Sequence, residues 1–443
     1  MLEAFDKNLL ADYSGTCDLI TNMKLDDVHI VVKGDYRCIQ GSDTAIYLYA
    51  KIPPDSSLLF LLSVGNPNFI IDVRGDLTDE EAEISNNGGV IHTALFQSNL
   101  ISVGDVLLSL ETFEVKYPVS KNSSYSKMII PITNFEFKGL QTFLRPDGTT
   151  VNTLALEVAG IKFEIFPKHD FSVSLPESLI TRPCKVTSYI EVDLTQSYLP
   201  YDELLKVVDN VCVLLSFARG TWITWPFYQL LDQNGKVVKI HHRKTFTSNF
   251  GIRPLKVMEY SEKLKNFIET SYEKFVHLET EYGISQTIKI LAEAKSMSSM
   301  GEINALTVTT AVDILRARWA DKNGMSFIFE KSFFSKITKL LQHQLSEILM
   351  EFFNISQTLI NEILPKLSDF NRYSFRTVLV EIINKTKADL NEAEIRAFIE
   401  SRNKLVHQGR FKSSTPQDRF RELLSLFKFA DNLILGLLGY KKP

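Results

Sequence analysis

The hydrophobic period of this 443-residue chain changes once, and that change limits the folds open to it. From about residue 15 to 195 the apolar residues fall in short runs broken by turn chemistry. In "TLALEV" and "IKFEIF", joined by Ala159 and Gly160, the second run alternates Ile161, Phe163 and Ile165 with Lys162 and Glu164. A period of two marks a strand with one buried face. "TAIYLYAKI" (44–52) and "LLFLLSVG" (58–65) are separated by Pro53 and Pro54, and "SNNGG" (85–89) and "RPDG" (145–148) are further turn signals. A helix is expected at 201–220, then a hairpin whose "QNGK" (233–236) supplies an Asn-Gly turn.

From 255 onward almost everything has a helical period, and glycine and proline thin to six and three. Helices are expected near 255–281, 284–298, 302–320, 332–353, 355–368, 372–386, 391–407 and 416–438. The expected architecture is therefore α+β and multidomain. A β-rich, sandwich or barrel-like domain occupies 1–245 and an all-α helical bundle 255–443. The irregular "IHHRKTFTSNFGIRP" (240–254), with Gly251 and Pro254, marks the boundary.

Composition narrows the function classes. With 44% hydrophobic residues, 30 of them Phe, and 23% charged, the chain can fill sizeable cores. A net charge of −4 excludes a globally basic nucleic-acid coat. Cys17, Cys38, Cys184 and Cys212 form no CxxC pair, so neither a zinc site nor a dense disulfide framework is expected. The start "MLEAFDKNLL" carries Glu3 and Asp6 where a signal peptide is basic and then apolar, and no run is long enough for a membrane span. A cytoplasmic protein without membrane, metal or cofactor is expected. NTPase, dinucleotide, zincin and α/β-hydrolase motifs are absent.

Three segments invite chemistry and receive plainer readings. "DLTDEEAE" (76–83) lacks the alternating oxygens and central Gly of a calcium loop and is expected to be a solvated acidic loop. "HHRK" (241–244) is read as an exposed basic linker ahead of an RNA contact. The aromatics of "ARGTWITWPFY" (218–228), Trp222, Trp225, Phe227 and Tyr228, are assigned to core packing between the two halves rather than base stacking.

The anomaly lies at "ESRNKLVHQGR" (400–410). Asn391 and Glu394 form a capping-box start and Gly409 a stop. At about 100° per residue, Ile395, Phe398, Ile399, Leu405 and Val406 make one apolar stripe with Arg402 near its centre. Asn403 and His407 share one flank, and Lys404 points away. An unpaired guanidinium on a packing face is costly, so Arg402 must meet a carboxylate, emerge in a groove, or await an anion. Its planar fork suits phosphate. His407 can exchange a proton near neutrality and Asn403 can orient a neighbour. Pairing of Arg402 with Glu381 or another bundle carboxylate, and a simple helix-dipole role for His407, satisfy the same pattern.

"RNKLVH" (402–407), followed by Gly409, resembles the R-x4–6-H motif of HEPN domains, with a polar residue directly after the Arg. The helix "YSFRTVLVEIINKTKADL" before it and "TPQDRFRELLSLFKFADNLILGLL" after it match that setting. The β-rich half followed by a bundle resembles the ApeA-like anti-phage proteins. The resemblance implies an endoribonuclease needing no metal or cofactor, with Arg402, Asn403 and His407 as catalytic residues. It further implies a homodimer through the C-terminal bundle, and products ending in a 2′,3′-cyclic phosphate and a 5′-hydroxyl. The N-terminal domain is then a sensor or regulator that binds a phage-derived trigger and gates the cleft. Residues 402–443 hold nine basic side chains against three acidic ones, and Arg410 and Lys412 are the expected contacts to the RNA backbone. Some HEPN-like bundles only bind nucleotides or dimerise. On that alternative the β domain is the main ligand- or partner-binding module.

Overall fold

The computed structural model describes residues 9–25, 28–41, 43–51, 71–77, 82–85, 91–94, 105–118, 124–137, 141–144, 150–168, 185–197, 199–249, 253–296 and 301–441. The turn signals at Pro53–Pro54, 86–89 and 145–148, the run at 58–65, the centre of "DLTDEEAE", Cys184 and Gly251 lie outside them. The chain forms two compact units, 1–270 and 271–443.

The first unit is built on antiparallel strands: β1 (Ala11–Leu25), β2 (Val28–Gln40), β3 (Ile46–Lys51), β4 (Ile71–Leu77), β5 (Glu83–Ser85), β6 (Ile91–Ala94), β7 (Asp105–Leu110), β8 (Thr112–Lys116), β9 (Tyr125–Thr133), β10 (Gln141–Leu144), β11 (Thr150–Val158), β12 (Ile161–Pro167) and β13 (Val186–Asp193). After helix α1 (Tyr201–Arg219) come β14 (Phe227–Asp232) and β15 (Val237–Arg243). Among the described residues they pair into one sheet, ordered β10-β11-β12-β13-β9-β14-β15-β8-β5-β4-β1-β2-β3-β7-β6. The alternation seen in the sequence is real: Ile161, Phe163 and Ile165 are buried while Lys162 and Glu164 face solvent. Ala159 and Gly160 both take positive φ, 51° and 72°, as a two-residue hairpin with right-handed strand twist requires.

The sheet curls. Side chains from β1, β2, β3, β4, β5, β7, β8 and β15 share one core, including Leu19, Tyr36, Leu48, Val73, Phe113 and Ile240. Strands far apart in the pairing order also meet inside it. Gln40, at the end of β2, donates to the carbonyls of Pro226 and Arg243 at 3.2 and 3.0 Å.

The expected exposed linker at "HHRK" is corrected by this sheet. The period of two continues through it: Val238, Ile240 and His242 are buried, with Lys239, His241 and Arg243 on the other side. His241 meets Glu114 at 3.1 Å, Arg243 pairs with Asp209 at 2.6 Å and lies over the Trp225 ring, and Lys244 pairs with Glu111 at 3.3 Å. Its charges are consumed within the unit. Trp225 and Tyr228 are buried in the first unit, whereas Trp222 and Phe227 are half-buried.

Helix α2 (Ser261–Tyr282) begins in this unit: Phe267 packs on Phe217 of α1, and Glu269 accepts from the Glu157 N–H at 2.8 Å. The compact division into two units falls inside α2.

The second unit is helical: α3 (Ile284–Ser296), α4 (Glu302–Lys322), α5 (Lys331–Glu351), α6 (Gln357–Ile363), α7 (Phe375–Thr386), α8 (Glu392–Gln408) and α9 (Pro416–Leu437). The helix expected over 355–368 breaks after α6 into a 3-10 turn, Leu364–Asn371, because Pro365 has no N–H to continue it. α4 is the central helix, packing on α3, α7, α8 and α9. Phe398 of α8 stacks on Phe429 of α9 with ring centroids 4.1 Å apart. Among the described residues no helix is long and apolar enough to cross a membrane.

Candidate active site

Helix α8 starts and stops where its sequence directs. Asn391 Oδ1 accepts from the Glu394 N–H, and the Glu394 carboxylate accepts from the Asn391 N–H, each at 3.0 Å. Gly409 ends the helix at φ 64°, its N–H donating to the Leu405 carbonyl at 2.9 Å. Replacing Asn391 by Ala removes one half of this box and is expected to cost about 1 kcal/mol, read as a lower midpoint in urea unfolding.

Ile395, Phe398, Ser401 and Leu405 are buried against the bundle, and Arg402 sits at the edge of that face. Its Nη2 and Nε both donate to Asp313 Oδ2 of α4, at 2.8 and 3.3 Å. Its Nη1 donates to Asn403 Oδ1 at 3.1 Å, and the guanidinium lies 4.9 Å from the Phe375 ring centre at the start of α7. The carboxylate that meets Arg402 is thus Asp313; Glu381 instead faces Lys385 along α7 at 3.7 Å.

A second guanidinium shares the place. Arg316, one turn beyond Asp313 on α4, lies 5.2 Å from the same Phe375 ring. Burial lowers its pKa, with Asp313 opposing that shift and Arg402 adding to it. Arg316 Nε and Asp313 Oδ1 are both buried and make no hydrogen bond. Two guanidinium groups therefore share one carboxylate of which only one oxygen is used. The cluster carries a formal surplus of one positive charge, with one donor, Arg316 Nε, and one acceptor, Asp313 Oδ1, unfilled.

Asn403 and His407 are exposed on the outer side of α8. Val406, expected in the buried stripe, is instead 42% exposed. At about 100° per residue it lies between Arg402 and His407 around the helix, so an exposed apolar side chain separates the two. Arg402 and Asn403 are in contact, whereas His407 stands apart from the guanidinium cluster on the helix circumference.

The loop after α8 is held by Glu422 of α9, which accepts from the N–H groups of Lys412 and Ser413 at 3.1 and 2.9 Å. Burial pushes the Glu422 carboxyl up, but hydrogen bonds from Ser401, Ser413 and these two N–H groups outweigh it and hold the pKa below its ordinary value. Lys412 ion-pairs with Glu400, and exposed Arg410 donates to Gln408 at 3.2 Å. Of the other basic residues in this region, Arg419 faces Glu302, Arg421 faces Asp418 and Lys428 faces Glu394. The positive surplus counted along 402–443 is therefore largely offset by carboxylates from α4 and α8.

Sequence reasoning missed Asp313, Arg316 and Phe375. The signal for the first two was present in "AVDILRAR", where Asp and Arg stand three apart and so share one helix face. Among the described residues no cluster of His, Cys, Asp and Glu is arranged to hold a metal ion. Comparison of the chain with protein-family models, with characterised proteins and with solved structures finds no match.

Proposed function

We propose that this chain is a metal-independent endoribonuclease of the HEPN type, a cytoplasmic effector of bacterial anti-phage defence. The observation that carries the proposal is the Arg316–Asp313–Arg402 cluster. It concentrates one surplus positive charge and one unfilled donor, Arg316 Nε, next to Asn403, with the exposed His407 further round the same helix. A phosphodiester is the anion in RNA that such a fork fits. Arg402 and Arg316 would bind the scissile phosphate and stabilise the charge that develops on it. The 2′-oxygen attacks phosphorus as its proton leaves, the P–O5′ bond breaks, and the 5′-oxygen takes up a proton. His407 serves at one of these two proton positions, and a facing copy of the motif in a homodimer would serve the other. Arg410 and Lys412 flank the path of the strand. The β-rich unit would act as sensor, limiting access until a phage-derived trigger binds.

The test is incubation of the purified full chain with RNA in excess EDTA, with chemical analysis of the new ends. Cyclic 2′,3′-phosphate and 5′-hydroxyl ends are expected. Intact RNA, with or without lysate from phage-infected cells, would remove the reading. One observation favours a second reading: Arg402 is already paired with Asp313, as a purely structural arginine would be. On that reading the bundle binds a nucleotide or dimerises without cleaving, and the β unit carries ligand recognition.

A further inference from the structure

Residues 329–371 form an arm closed at its base by one side chain. Asn371 accepts from the Phe329 N–H at 2.8 Å and donates back to the Phe329 carbonyl at 3.0 Å, while its own carbonyl accepts from the Ile328 N–H at 2.7 Å. Inside this clamp, α5 runs out and the 357–371 segment runs back against it. α5 is amphipathic, yet none of its residues is buried. The returning segment half-covers Phe334, Ile337, Leu345 and Leu349 and leaves an adjoining apolar flank open.

The open flank is its own mirror image. Phe333, Leu340, Leu341 and Ile348 are all exposed, and their spacing of seven, one and seven is symmetric about the midpoint between Leu340 and Leu341. The same midpoint relates the exposed residues beyond the stripe, Ile328 to Phe353 and Phe329 to Phe352. The charges beside it do not repeat under that operation; they complement. The N-terminal half, 330–340, carries Glu330, Lys331, Lys336 and Lys339, and the C-terminal half, 341–351, carries Glu347 and Glu351. One half is net positive and the other negative.

We propose that α5 pairs antiparallel with α5 of a second copy of this chain, about a two-fold axis at Leu340–Leu341. A patch contacting itself across a two-fold must be self-complementary, with residue i meeting residue j and j meeting i. The stripe satisfies this: Phe333 of one copy comes level with Ile348 of its partner, and Ile328 and Phe329 with Phe353 and Phe352. Lys331 comes within one residue of Glu351, and Lys336 within two of Glu347, inside lysine's reach. A parallel pairing would set Lys336 beside Lys336 and Glu347 beside Glu347, so charge selects the antiparallel register.

The test is sedimentation velocity of the full chain across a concentration series. Self-association is expected, and Leu341→Glu, at an exposed position where the fold does not depend on the side chain, is expected to abolish the α5 pairing and lower the sedimenting mass, leaving only whatever association the facing motifs supply. Lys336→Glu alone and Glu347→Lys alone are each expected to weaken association about tenfold or more, since each sets like charges against one another. The double variant Lys336→Glu/Glu347→Lys is expected to restore it, because both copies carry both changes. A monomeric wild type, a dimer indifferent to Leu341→Glu, or a double variant no better than the singles would each overturn the pairing. This interface stands apart from the ribonuclease reading. Arg402→Ala is expected to leave the dimer intact, whatever it does to RNA.

Discussion

Replacing His407 by Ala is expected to lower the initial rate of RNA cleavage by about 10²–10⁴-fold, the usual contribution of a positioned acid or base. The side chain is exposed in the last turn of α8, so the substitution removes a proton carrier without opening the core. Its structural cost is confined to a helix-dipole term of about 0.3–1 kcal/mol. Arg402→Ala is expected to cost about 10²–10³-fold by removing charge stabilisation at the phosphate. Arg402 also packs on Phe375 and pairs with Asp313, so its loss alone is ambiguous. Arg402→Lys resolves that ambiguity: it keeps a charge beside Asp313 but removes the planar fork, and is expected to retain the fold and lose most activity. Asp313→Asn keeps the shape of the cluster and frees Arg402 from its carboxylate, which is expected to tighten RNA binding. Rates on labelled RNA, with circular dichroism spectra matched to wild type, decide the matter. If His407→Ala and Arg402→Lys both fold and both cleave at the wild-type rate, the catalytic assignment is wrong.

The elements were legible in this sequence because each carries its own local code. Ile161, Phe163 and Ile165 alternate with charge, and Asn391, Glu394 and Gly409 bracket α8 with cap chemistry that needs no tertiary information. The break after α6 follows from Pro365, a local signal of the same kind. What was not legible depends on residues distant in sequence. Arg402 announces that it needs an anion, but only the packing of α4 on α8 shows that Asp313 supplies it and that Arg316 brings a second cation. The basic surplus of the C-terminal segment has the same limit, since Glu302, Glu394 and Glu400 are folded back onto it. "HHRK" misled for another reason. A strand end bearing His, Arg and Lys has the composition of a linker, and it is the backbone pairing with β14 and β8 that makes it sheet, with Glu114, Asp209 and Glu111 meeting its charges.

His242, the buried member of that segment, should dominate the acid sensitivity of the first unit. Its ring is enclosed by Tyr13, Phe113 and Phe227. The amide of Gln40 donates through Nε2 to carbonyl oxygens, so its Oε1 faces His242 Nδ1 at 2.8 Å and fixes a proton there. Nε2 then accepts from the Tyr13 hydroxyl at 2.9 Å. This neutral tautomer is satisfied on both nitrogens. Burial, with neighbouring His241 adding to it, lowers the pKa from 6.5 to about 3. In the unfolded chain the ring takes up a proton as pH falls below about 6.5, whereas in the folded chain it stays neutral until about 3. Folding stability is therefore complete above that upper value and drains away beneath it, by about 1.4 kcal/mol for each pH unit. Between pH 6.5 and 4.5 the loss is about 2 kcal/mol, enough to shift a urea midpoint plainly. His242→Asn retains a donor toward Gln40 and cannot titrate. It is expected to be less stable than wild type at pH 7.5 because Tyr13 loses its partner nitrogen. Its stability should then stay nearly flat down to pH 5, where wild type is already falling. Urea unfolding of both proteins across this range, followed by tryptophan fluorescence from Trp222 and Trp225, gives the comparison directly. Parallel acid limbs would show that some other group titrates, and that the enclosure around His242 admits the proton it is built to refuse.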